Sequence, residues 1–396
     1  MNTLTVNHDW AKLPLFDRKE WKRARFGDVV DNLNETEKNP VATGIERFIG
    51  LEHLEPGSLH ISTWGNVADG TTFTRRCRTG QVLFGKRRAY QRKVAVAEFD
   101  AVVSGDIYVF VPKNDRLLSE LLPFLCMSER FFQHAVGTSA GSLSPRTNWS
   151  SLASFEFDLP PLDQQHRIAE ILWAVDEVQI MSYAKTLSAD LYRTTVIEEQ
   201  FSGNNIGKRR LSELCGDKGI RIGPFGSQLH AHEYVEVGVP VVMPANLGSD
   251  EIVIADVKRI LPEKADELST HKLEFGDVLL PRRGNLAKMG FVHPNQDGWI
   301  CGTGTIRVRL PESRSRRLLF YALSRPSVTK WLERNAVGTT MPNLNSSIVG
   351  NIEIFWPQTP SLAEELISEA DNLIRHLHDY QTVMKQMQIQ LINELL

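Results

Sequence analysis

Eight lysine or arginine residues fall between Thr74 and Lys93, a stretch that contains no aspartate or glutamate. The whole chain has a formal net charge of only -3, so this positive charge is local. Such a run can neutralise the phosphates of a nucleic-acid backbone. It can also be a sheet edge that charge keeps soluble, and the stretch alone favours neither interpretation. The eight residues are Arg75, Arg76, Arg78, Lys86, Arg87, Arg88, Arg92 and Lys93.

A second basic segment, PRRGNLAK, begins at Pro281 and adds Arg282 and Lys288 to the candidate phosphate contacts. Arginine can hold guanine through two hydrogen bonds, and asparagine or glutamine can hold adenine in the same way. The side chains chemically able to read bases are therefore Arg87, Arg88, Gln91, Gln228, Arg283 and Asn285. We expect Tyr90 to pack against the protein rather than stack on a base.

The sequence contains no motif that indicates catalysis or metal binding. The chain has no NPPY-type methyltransferase motif, dinucleotide-binding fingerprint or Walker A loop. Its four cysteines are far apart in sequence, which predicts reduced, mostly buried thiols rather than a zinc site. We therefore expect no catalytic residue, no metal ligand and no cofactor on this chain. The alternative is a stand-alone nuclease with a carboxylate site that involves Asp106 or Asp277.

Length and composition indicate the class of protein to which these segments belong. With 396 residues, 42% of them apolar and 23% charged, the chain is typical of a globular protein of two domains. It contains no run of eighteen apolar residues and no signal-peptide pattern at its N-terminus. We expect a cytoplasmic protein without a membrane partner.

Many phrases of the first half recur in the second. GQVLFGKRR at Gly80 matches GDVLLPRRG at Gly276, and AVGT at Ala135 matches AVGT at Ala336. IYVF at Ile107 is aligned with IRVR at Ile306, and a Leu-rich helical segment follows each of these two. Because the phrases occur in the same order with a nearly constant offset, we predict an internal repeat.

The repeat predicts an α+β fold with two similar mixed α/β domains, each followed by a long helix. Apolar residues of the last helix recur at spacings of four and three, as in a coiled-coil seam. These residues are Leu366, Ala370, Leu373, Leu377, Tyr380, Met384, Met387 and Leu391. The predicted segments are 1–160 for the first domain, 161–203 for the first helix, 204–359 for the second domain and 360–396 for the second helix.

The first long helix has a less regular apolar stripe. Its members are Ile168, Ile171, Leu172, Val175 and Val178, followed by Ile180, Leu187 and Leu191. This pattern predicts a change of phase near Met181, and Gly203, Asn204 and Asn205 are expected to end the helix. We expect the two helices to pair antiparallel as a spacer with the domains at opposite ends. The alternative is that each helix folds back on its own domain.

These phrases resemble the specificity subunits of type I DNA restriction-modification systems. GDVLLPRRG, LPPLDQQHRIAEIL, AVGTTMPNLN and GPFGSQLHAHEYVEVGVPVV are similar to phrases that recur in that family. The order of domain, helix, domain and helix is also the family's order. The second long helix departs from the pattern, because SLAEELISEAD stands where the first has DQQHRIAEIL.

The resemblance implies a non-catalytic subunit whose two target recognition domains read the two parts of a split double-stranded DNA site. It also implies two modification (methyltransferase) subunits docked on the helical spacer, joined by restriction and translocase subunits. S-adenosylmethionine, ATP and Mg²⁺ are expected on these partners. Candidate partner contacts on the helices are Ile168, Ile171, Leu172, Leu366, Leu373 and Leu377.

Overall fold

The computed structural model describes residues 17–202, 206–248, 251–311, 315–337 and 343–396. The fold is α+β, as predicted. The chain forms two compact units: unit 1 comprises residues up to Ala184 together with His378–Leu396, and unit 2 comprises Lys185–Leu377. Each unit therefore contains a segment of each long helix.

Unit 1 is built on two four-stranded sheets, with strand orders β2-β9-β6-β7 and β4-β3-β8-β5, and a separate β1-β10 pair. Its strands are β1 (Lys22–Arg25), β2 (Val30–Leu33), β3 (Arg47–Ile49), β4 (Gly65–Asn66), β5 (Arg75–Cys77), β6 (Val82–Gly85), β7 (Val94–Val96), β8 (Ala101–Val103), β9 (Ile107–Pro112) and β10 (Glu156–Leu159). Its helices are α1 (Phe26–Val29), α2 (Leu122–Met127), α3 (Glu129–Gly137), α4 (Trp149–Ala153) and the first part of α5 (Leu162–Gln200).

The central strand β6 is covered on both faces. Val82 and Phe84 belong to the core beneath the helices, whereas Leu83 belongs to a second core shared with β8. Successive side chains of a strand point to opposite faces, so a strand buried on both sides reads as a continuous apolar run. This is why the strand VLFG has no polar side chain and the sequence becomes basic only where the strand ends.

Unit 2 has the same plan, with strand orders β12-β19-β16-β17 and β13-β15-β14-β18 and a separate β11-β20 pair. Its strands are β11 (Ile206–Arg210), β12 (Ile220–Ile222), β13 (Tyr234–Val235), β14 (Val239–Val242), β15 (Lys258–Ile260), β16 (Val278–Pro281), β17 (Gly290–Phe291), β18 (Ile300–Cys301), β19 (Thr305–Val308) and β20 (Glu353–Pro357). Its helices are α6 (Leu211–Cys215), α7 (Pro262–Glu267), α8 (Arg316–Leu323), α9 (Pro326–Asn335), α10 (Ser346–Gly350) and the first part of α11 (Pro360–Leu395).

The strand register corrects one of the sequence correspondences. Ile107 lies opposite Gly85, and Thr305 lies opposite the matching Pro281. Ile107 therefore corresponds to Thr305 and not to Ile306, as the shared Ile had suggested. A shift by one residue reverses the face of every side chain, so the correction matters for this strand. Within the repeated AVGT phrase, Gly338 and Thr339 lie outside the described residues.

In unit 1 the start of α5 packs against the end of α11. Ile168 and Leu172 share a core with Ile392 and Leu395. In unit 2 the end of α5 packs against the start of α11, since Val196 shares a core with Ala363 and Ile367. Within each unit the paired segments are thus antiparallel. Helix α5 ends at Gln200, and the predicted stop at 203–205 lies outside the described residues.

The predicted seam of α11 was half wrong. Ala370 is buried, but Leu373, Tyr380 and Met387 are 46%, 47% and 40% exposed. The buried or half-buried positions follow the neighbouring heptad row instead: Ala363, Ile367, Ala370, Ile374, Leu377, Gln381, Met384, Gln388, Leu391 and Leu395. Two positions of this row are glutamines, Gln381 and Gln388. Because the prediction looked for apolar residues, it chose their exposed neighbours Tyr380 and Met387 instead.

The predicted change of phase in α5 is also wrong. Ile180, Leu187 and Leu191 are 45%, 63% and 69% exposed. The inward row keeps its phase past Met181, where most of its members are polar or small. The whole row is Gln165, Ile168, Leu172, Val175, Gln179, Ser182, Thr186, Ala189, Arg193, Val196 and Gln200.

A buried aspartate on a long helix links helix and domain in each unit. In unit 1, Asp176 is 4% exposed and accepts hydrogen bonds from His60 Nε2 at 2.6 Å and Gln388 Nε2 at 3.2 Å. In unit 2, Asp371 is 7% exposed and binds Arg317, the hydroxyl of Tyr321 and Arg193. A buried carboxylate is tolerated when several donors satisfy it. These two clusters are called the aspartate layers below.

His60 makes the stability of unit 1 dependent on pH. Its second ring nitrogen lies 2.6 Å from Glu98, and the Asp176 hydrogen bond is the largest cause that raises the His60 pKa from 6.5 to about 9. The charged imidazole thus stabilises the folded state below pH 6.5, and this contribution is lost as pH rises through about 9.

We expect urea denaturation to show a larger fall in unfolding free energy between pH 6.5 and 9.5 than His60→Gln shows. The difference between the two proteins isolates this group, because the buried Cys77 and Cys215 thiols, whose pKa burial raises to about 12, contribute the same pH dependence to both. An equal fall in both proteins would contradict the assignment.

All four cysteines are buried and unpaired, which confirms that prediction. No helix of the described residues is long and apolar enough to cross a membrane.

Candidate nucleic-acid interface

The end of β6 in unit 1 is held beside a loop that is distant in sequence. Lys86 N donates to Asp106 O at 2.9 Å, and Thr147 N donates to Lys86 O at 3.0 Å. Arg87 then forms an antiparallel bridge with Arg146. The basic loop 86–93 therefore lies against loop 138–147, and we call the two together the loop junction of unit 1.

Unit 2 repeats this attachment bond for bond. Arg282 N donates to Gly304 O at 2.7 Å, Leu344 N donates to Arg282 O at 2.9 Å, and Arg283 forms a bridge with Asn343. In both units the second loop leads to an asparagine N-cap. Asn148 caps α4, and Asn345 caps α10, by accepting from a backbone N–H three residues on. We call this the loop junction of unit 2, with residues 282–289 as its basic loop.

The first loop turns sharply at equivalent positions. Arg88 has a left-handed backbone with φ 54°, and the corresponding residue Gly284 has φ 87°. A left-handed conformation costs a residue with a Cβ about 1 to 2 kcal/mol, whereas glycine adopts it freely. Unit 1 thus bears a backbone cost in order to carry an arginine at this turn.

This difference predicts unequal effects of alanine. Gly284→Ala should lower the unfolding free energy by about 1 kcal/mol. Arg88→Ala adds no new backbone cost, because arginine already bears it. Thermal denaturation of both variants tests the expectation, and a larger loss for Arg88→Ala would refute it.

The charges of the unit 1 junction are partly neutralised by one carboxylate. Asp106 accepts from Arg146 Nε at 2.9 Å and from Arg87 Nη1 at 3.3 Å. Burial acts to raise the pKa of Asp106, but the two arginines outweigh it and the net pKa lies below its ordinary value. Arg87 Nε also donates to Ser144 Oγ at 2.5 Å. Arg87 and Arg146 are therefore oriented by Asp106 and Ser144, which suits readers of a polar edge.

Most other predicted cations of unit 1 already have protein partners. Arg76 binds Asp100, Arg78 binds Glu35, and Arg92 binds Glu129. Arg75 and Lys93 donate to the carbonyls of Ile107 and Leu51. Arg75 nevertheless lies beside the junction, because its guanidinium is 5.8 Å from the centre of the Tyr108 ring, whose hydroxyl donates to Thr147 O.

Lys86 lies over the same ring as Arg75, with its ammonium 4.8 Å from the centre of the Tyr108 ring. Burial lowers the Lys86 pKa. Gln91 is half-buried in a short 3-10 turn, whereas Tyr90 is 55% exposed, so our expectation that Tyr90 packs was wrong. An exposed tyrosine beside basic residues can stack on a base.

The junction of unit 2 presents more exposed polar side chains. Arg283, Asn285 and Lys288 are all exposed, and Asn285 Oδ1 accepts from Ala287 N at 3.0 Å. Arg282 is held by Asn343 Oδ1 at 3.0 Å and lies over the Phe225 ring. Gln228 is exposed and accepts from Phe225 N at 3.1 Å. Phe225, 56% exposed, brings the GPFGSQL phrase to this junction.

Sequence reasoning missed Ser144, Arg146 and Phe225, and it named Asp106 only as a candidate nuclease carboxylate. The AVGT and GPFGSQL phrases held a usable signal for the three missed residues, but neither phrase was assigned to the basic loops. A pairing of residues forty to sixty positions apart has no local pattern that would reveal it.

Two of the predicted partner contacts are unavailable. Ile168 and Leu172 are fully buried in the core of unit 1. Leu366 and Leu377 are half-buried, and Ile171 and Leu373 are 37% and 46% exposed. Ile171 and Leu373 are therefore the better candidates for contact with another protein.

The two carboxylates named for a nuclease are engaged elsewhere. Asp106 binds arginines, and the fully buried Asp277 binds Arg309 Nε at 2.6 Å. No group of three or more His, Cys, Asp and Glu side chains among the described residues could hold a metal ion.

Comparison with known proteins agrees with this architecture. Residues 59–188 match the family described as type I restriction modification DNA specificity domain. Over 388 residues the chain is 23% identical to the MjaVIII specificity subunit of Methanocaldococcus jannaschii, covering 90% of this chain and 87% of that protein. Residues 59–188 are thus similar to a type I DNA specificity domain, and the chain as a whole is similar to a type I specificity subunit.

Another relative, the EcoDI specificity subunit of Escherichia coli, is 28% identical over 176 residues. That match covers 42% of this chain and 36% of the EcoDI subunit.

Two solved structures share the fold with a TM-score of 0.58. One is the S subunit from M. genitalium, 14% identical, with 97% of this chain and 98% of that chain covered. The other comes from a study of complex assembly and conformational transition in a type I system, 18% identical, with 95% and 97% covered.

Proposed function

We propose that the chain is the DNA specificity subunit of a type I restriction-modification system and that each loop junction reads one part of a split DNA site. One observation carries this proposal. Two loops that are distant in sequence are joined by the same backbone hydrogen bonds in both units, and each junction presents arginines at a strand end.

The differences between the two junctions fit a reader of an asymmetric site. The attachment is common to both units, whereas the side chains it presents are not. Unit 1 presents Arg87 and Arg146 fixed by a carboxylate, and unit 2 presents Arg283 and Asn285 exposed to solvent. Arginine suits guanine, and asparagine suits adenine, so different side chains on one frame select different bases.

The partners and cofactors follow from the family. We propose that the chain assembles with two modification subunits and with restriction and translocase subunits. S-adenosylmethionine, ATP and Mg²⁺ would be bound by those partners and not by this chain. Exposed apolar side chains on the long helices, such as Ile171 and Leu373, support a protein contact there.

The test uses the chain assembled with its modification subunits and selection from a duplex library of random sequence. Arg283→Ala should relax one half-site, with about 1 to 3 kcal/mol less discrimination at one base, and leave the other half-site unchanged. Arg88→Ala should weaken binding through the opposite half-site only. Arg88→Ala is preferred to Arg87→Ala because Arg87 also holds Ser144 and Asp106.

Arg209→Ala is the matched control in unit 2. Arg209 is an exposed arginine on β11 whose salt bridge to Glu213 lies away from the loop junction. Removing it subtracts the same charge, so a general electrostatic effect would appear in both variants. If both half-sites stay unchanged in the Arg283 and Arg88 variants, the loop junctions do not read bases.

A further inference from the structure

Two arginines face each other across neighbouring strands of unit 2. Arg221 of β12 is the register partner of Arg307 of β19. Like charges directly opposite each other destabilise a sheet, so this pair requires an explanation.

The fold itself does not require the charges. Val82 lies opposite Phe110 in unit 1, and the matching Val278 lies opposite Val308 in unit 2. Phe110 and Val308 therefore correspond, and so do the residues that precede them, Val109 and Arg307. The register partner of Val109 is Leu33. Unit 1 therefore has a leucine and a valine where unit 2 has two arginines.

Arg307 is a buried cation whose nearest opposite charge, Asp277, is bound to Arg309; burial and Arg309 lower the Arg307 pKa more than Asp277 raises it. It is 5% exposed, and its guanidinium donates to the carbonyls of Lys218, Thr270 and Lys272. Across the described ranges, neither Arg307 nor Arg221 forms a salt bridge with a carboxylate. A buried charge that lacks an opposite charge is costly, and bound anions offset such costs.

The surroundings of this pair are cationic as well. Both arginines line a cavity of about 740 Å³ together with Lys218, Lys272, Arg309 and Arg316. Asp217 and Glu274 also line it. Lys272, Arg309 and Arg316 are paired with Asp266, Asp277 or Glu274, which leaves the three cations Lys218, Arg221 and Arg307 with Asp217 as the one other carboxylate of the lining.

A buried histidine beside the cavity reports the same excess of positive charge. His271 is 8% exposed, and its Nδ1 has no partner within the part of the chain that the structure describes. Burial lowers the His271 pKa first, and the charges of Arg221 and Arg307 lower it further.

We propose that this basic cavity is a binding site for a phosphate group, with Arg221 and Arg307 as its principal ligands and Lys218 at its rim. Arginine guanidinium groups suit phosphate because they present paired donors to its oxygens. The site differs from the loop junction, since it opens beyond Val308 at the end of β19, whereas Gly304 of the junction precedes the start of that strand.

The phosphate could belong to a DNA backbone or to a free phosphate compound, and only the first source depends on the proposed function. The first measurement uses inorganic phosphate and the full chain, by calorimetry and thermal denaturation, with sodium chloride at equal ionic strength as reference. We expect saturable binding and a rise in Tm that chloride does not reproduce.

The deciding variant is Arg221→Leu/Arg307→Val, which installs the residues of unit 1 at the same register positions. Phosphate should bind at least about tenfold more weakly, and Tm without phosphate should rise because the opposed charges are gone. Lys330→Gln, an exposed lysine on α9, is the control and should bind as the unchanged chain does.

If the double variant does not fold, Lys218→Gln provides a surface substitution at the rim that should weaken phosphate binding by a smaller factor. Displacement of phosphate by duplex DNA assigns the site to the DNA backbone, and retention of phosphate on the DNA-bound chain assigns it to a free phosphate compound. An effect of phosphate equal to that of chloride, or equal affinity in the double variant and the Lys330→Gln control, overturns the proposal.

Discussion

Ile367→Asp is expected to lower the free energy of unfolding by about 3 to 5 kcal/mol, because it places an unpaired carboxylate in a closed apolar seam. Ile367 is fully buried and shares a core with Val196 and Phe201 of the opposing helix segment in unit 2. Ionisation of the new side chain would require water to enter that core.

Leu373→Asp is the matched control, because it makes the same change in the same helix. Leu373 is 46% exposed, so its replacement should cost less than about 1 kcal/mol. Chemical denaturation of the two variants measures the difference. Comparable losses would mean that the buried row of α11 has been misassigned.

Gly223→Ala is expected to destabilise unit 2 by about 3 kcal/mol or more, the upper range for overpacking. A Cβ on Gly223 would lie 1.9 Å from the carbonyl oxygen of Gly302 and 2.9 Å from that of Cys301. Both obstacles are backbone atoms, so no side chain can rotate away. Gly223 N also donates to Thr305 O, which ties the GPFGSQL phrase to β19 beside the loop junction.

Gly226→Ala, three residues further on, meets no atom within 4 Å and should be nearly neutral. A thermal melt distinguishes the two variants, and duplex selection shows whether the half-site of unit 2 is lost with Gly223→Ala alone. Equal melting temperatures would mean that β12 and β19 can separate without cost.

The architecture was predictable because the same sequence signals occur in both halves of the chain. A glycine that starts a strand, an apolar strand that becomes basic at its end, and an asparagine before a short helix recur at matching positions in both halves. Each signal is local and needs only turn or cap chemistry for its interpretation. The correspondence of β9 with β19 failed by one residue because a shared Ile was preferred to the strand register.

The helix seams were harder to predict for a physical reason. Gln179 and Gln388 face inward because Gln179 donates to Gln388 and to the carbonyl of Met384, and Gln388 donates to Asp176. Apolar periodicity cannot recognise such positions. Prediction of the site was limited in the same way. Whether an arginine is available to DNA or paired within the protein depends on a carboxylate distant in the sequence, as with Arg92 and Glu129.

The aspartate layers give each helix pairing a single alignment. An apolar heptad seam can slide by seven residues and present another apolar row, so it selects its register weakly. Such a slide would leave Asp176 without Gln388 and Asp371 without Arg193, each as a buried anion that has lost its donor on the opposite helix. Buried polar groups of this kind fix the register of a helix pair. They add little to the stability of the native alignment, but they make the shifted alignments unfavourable.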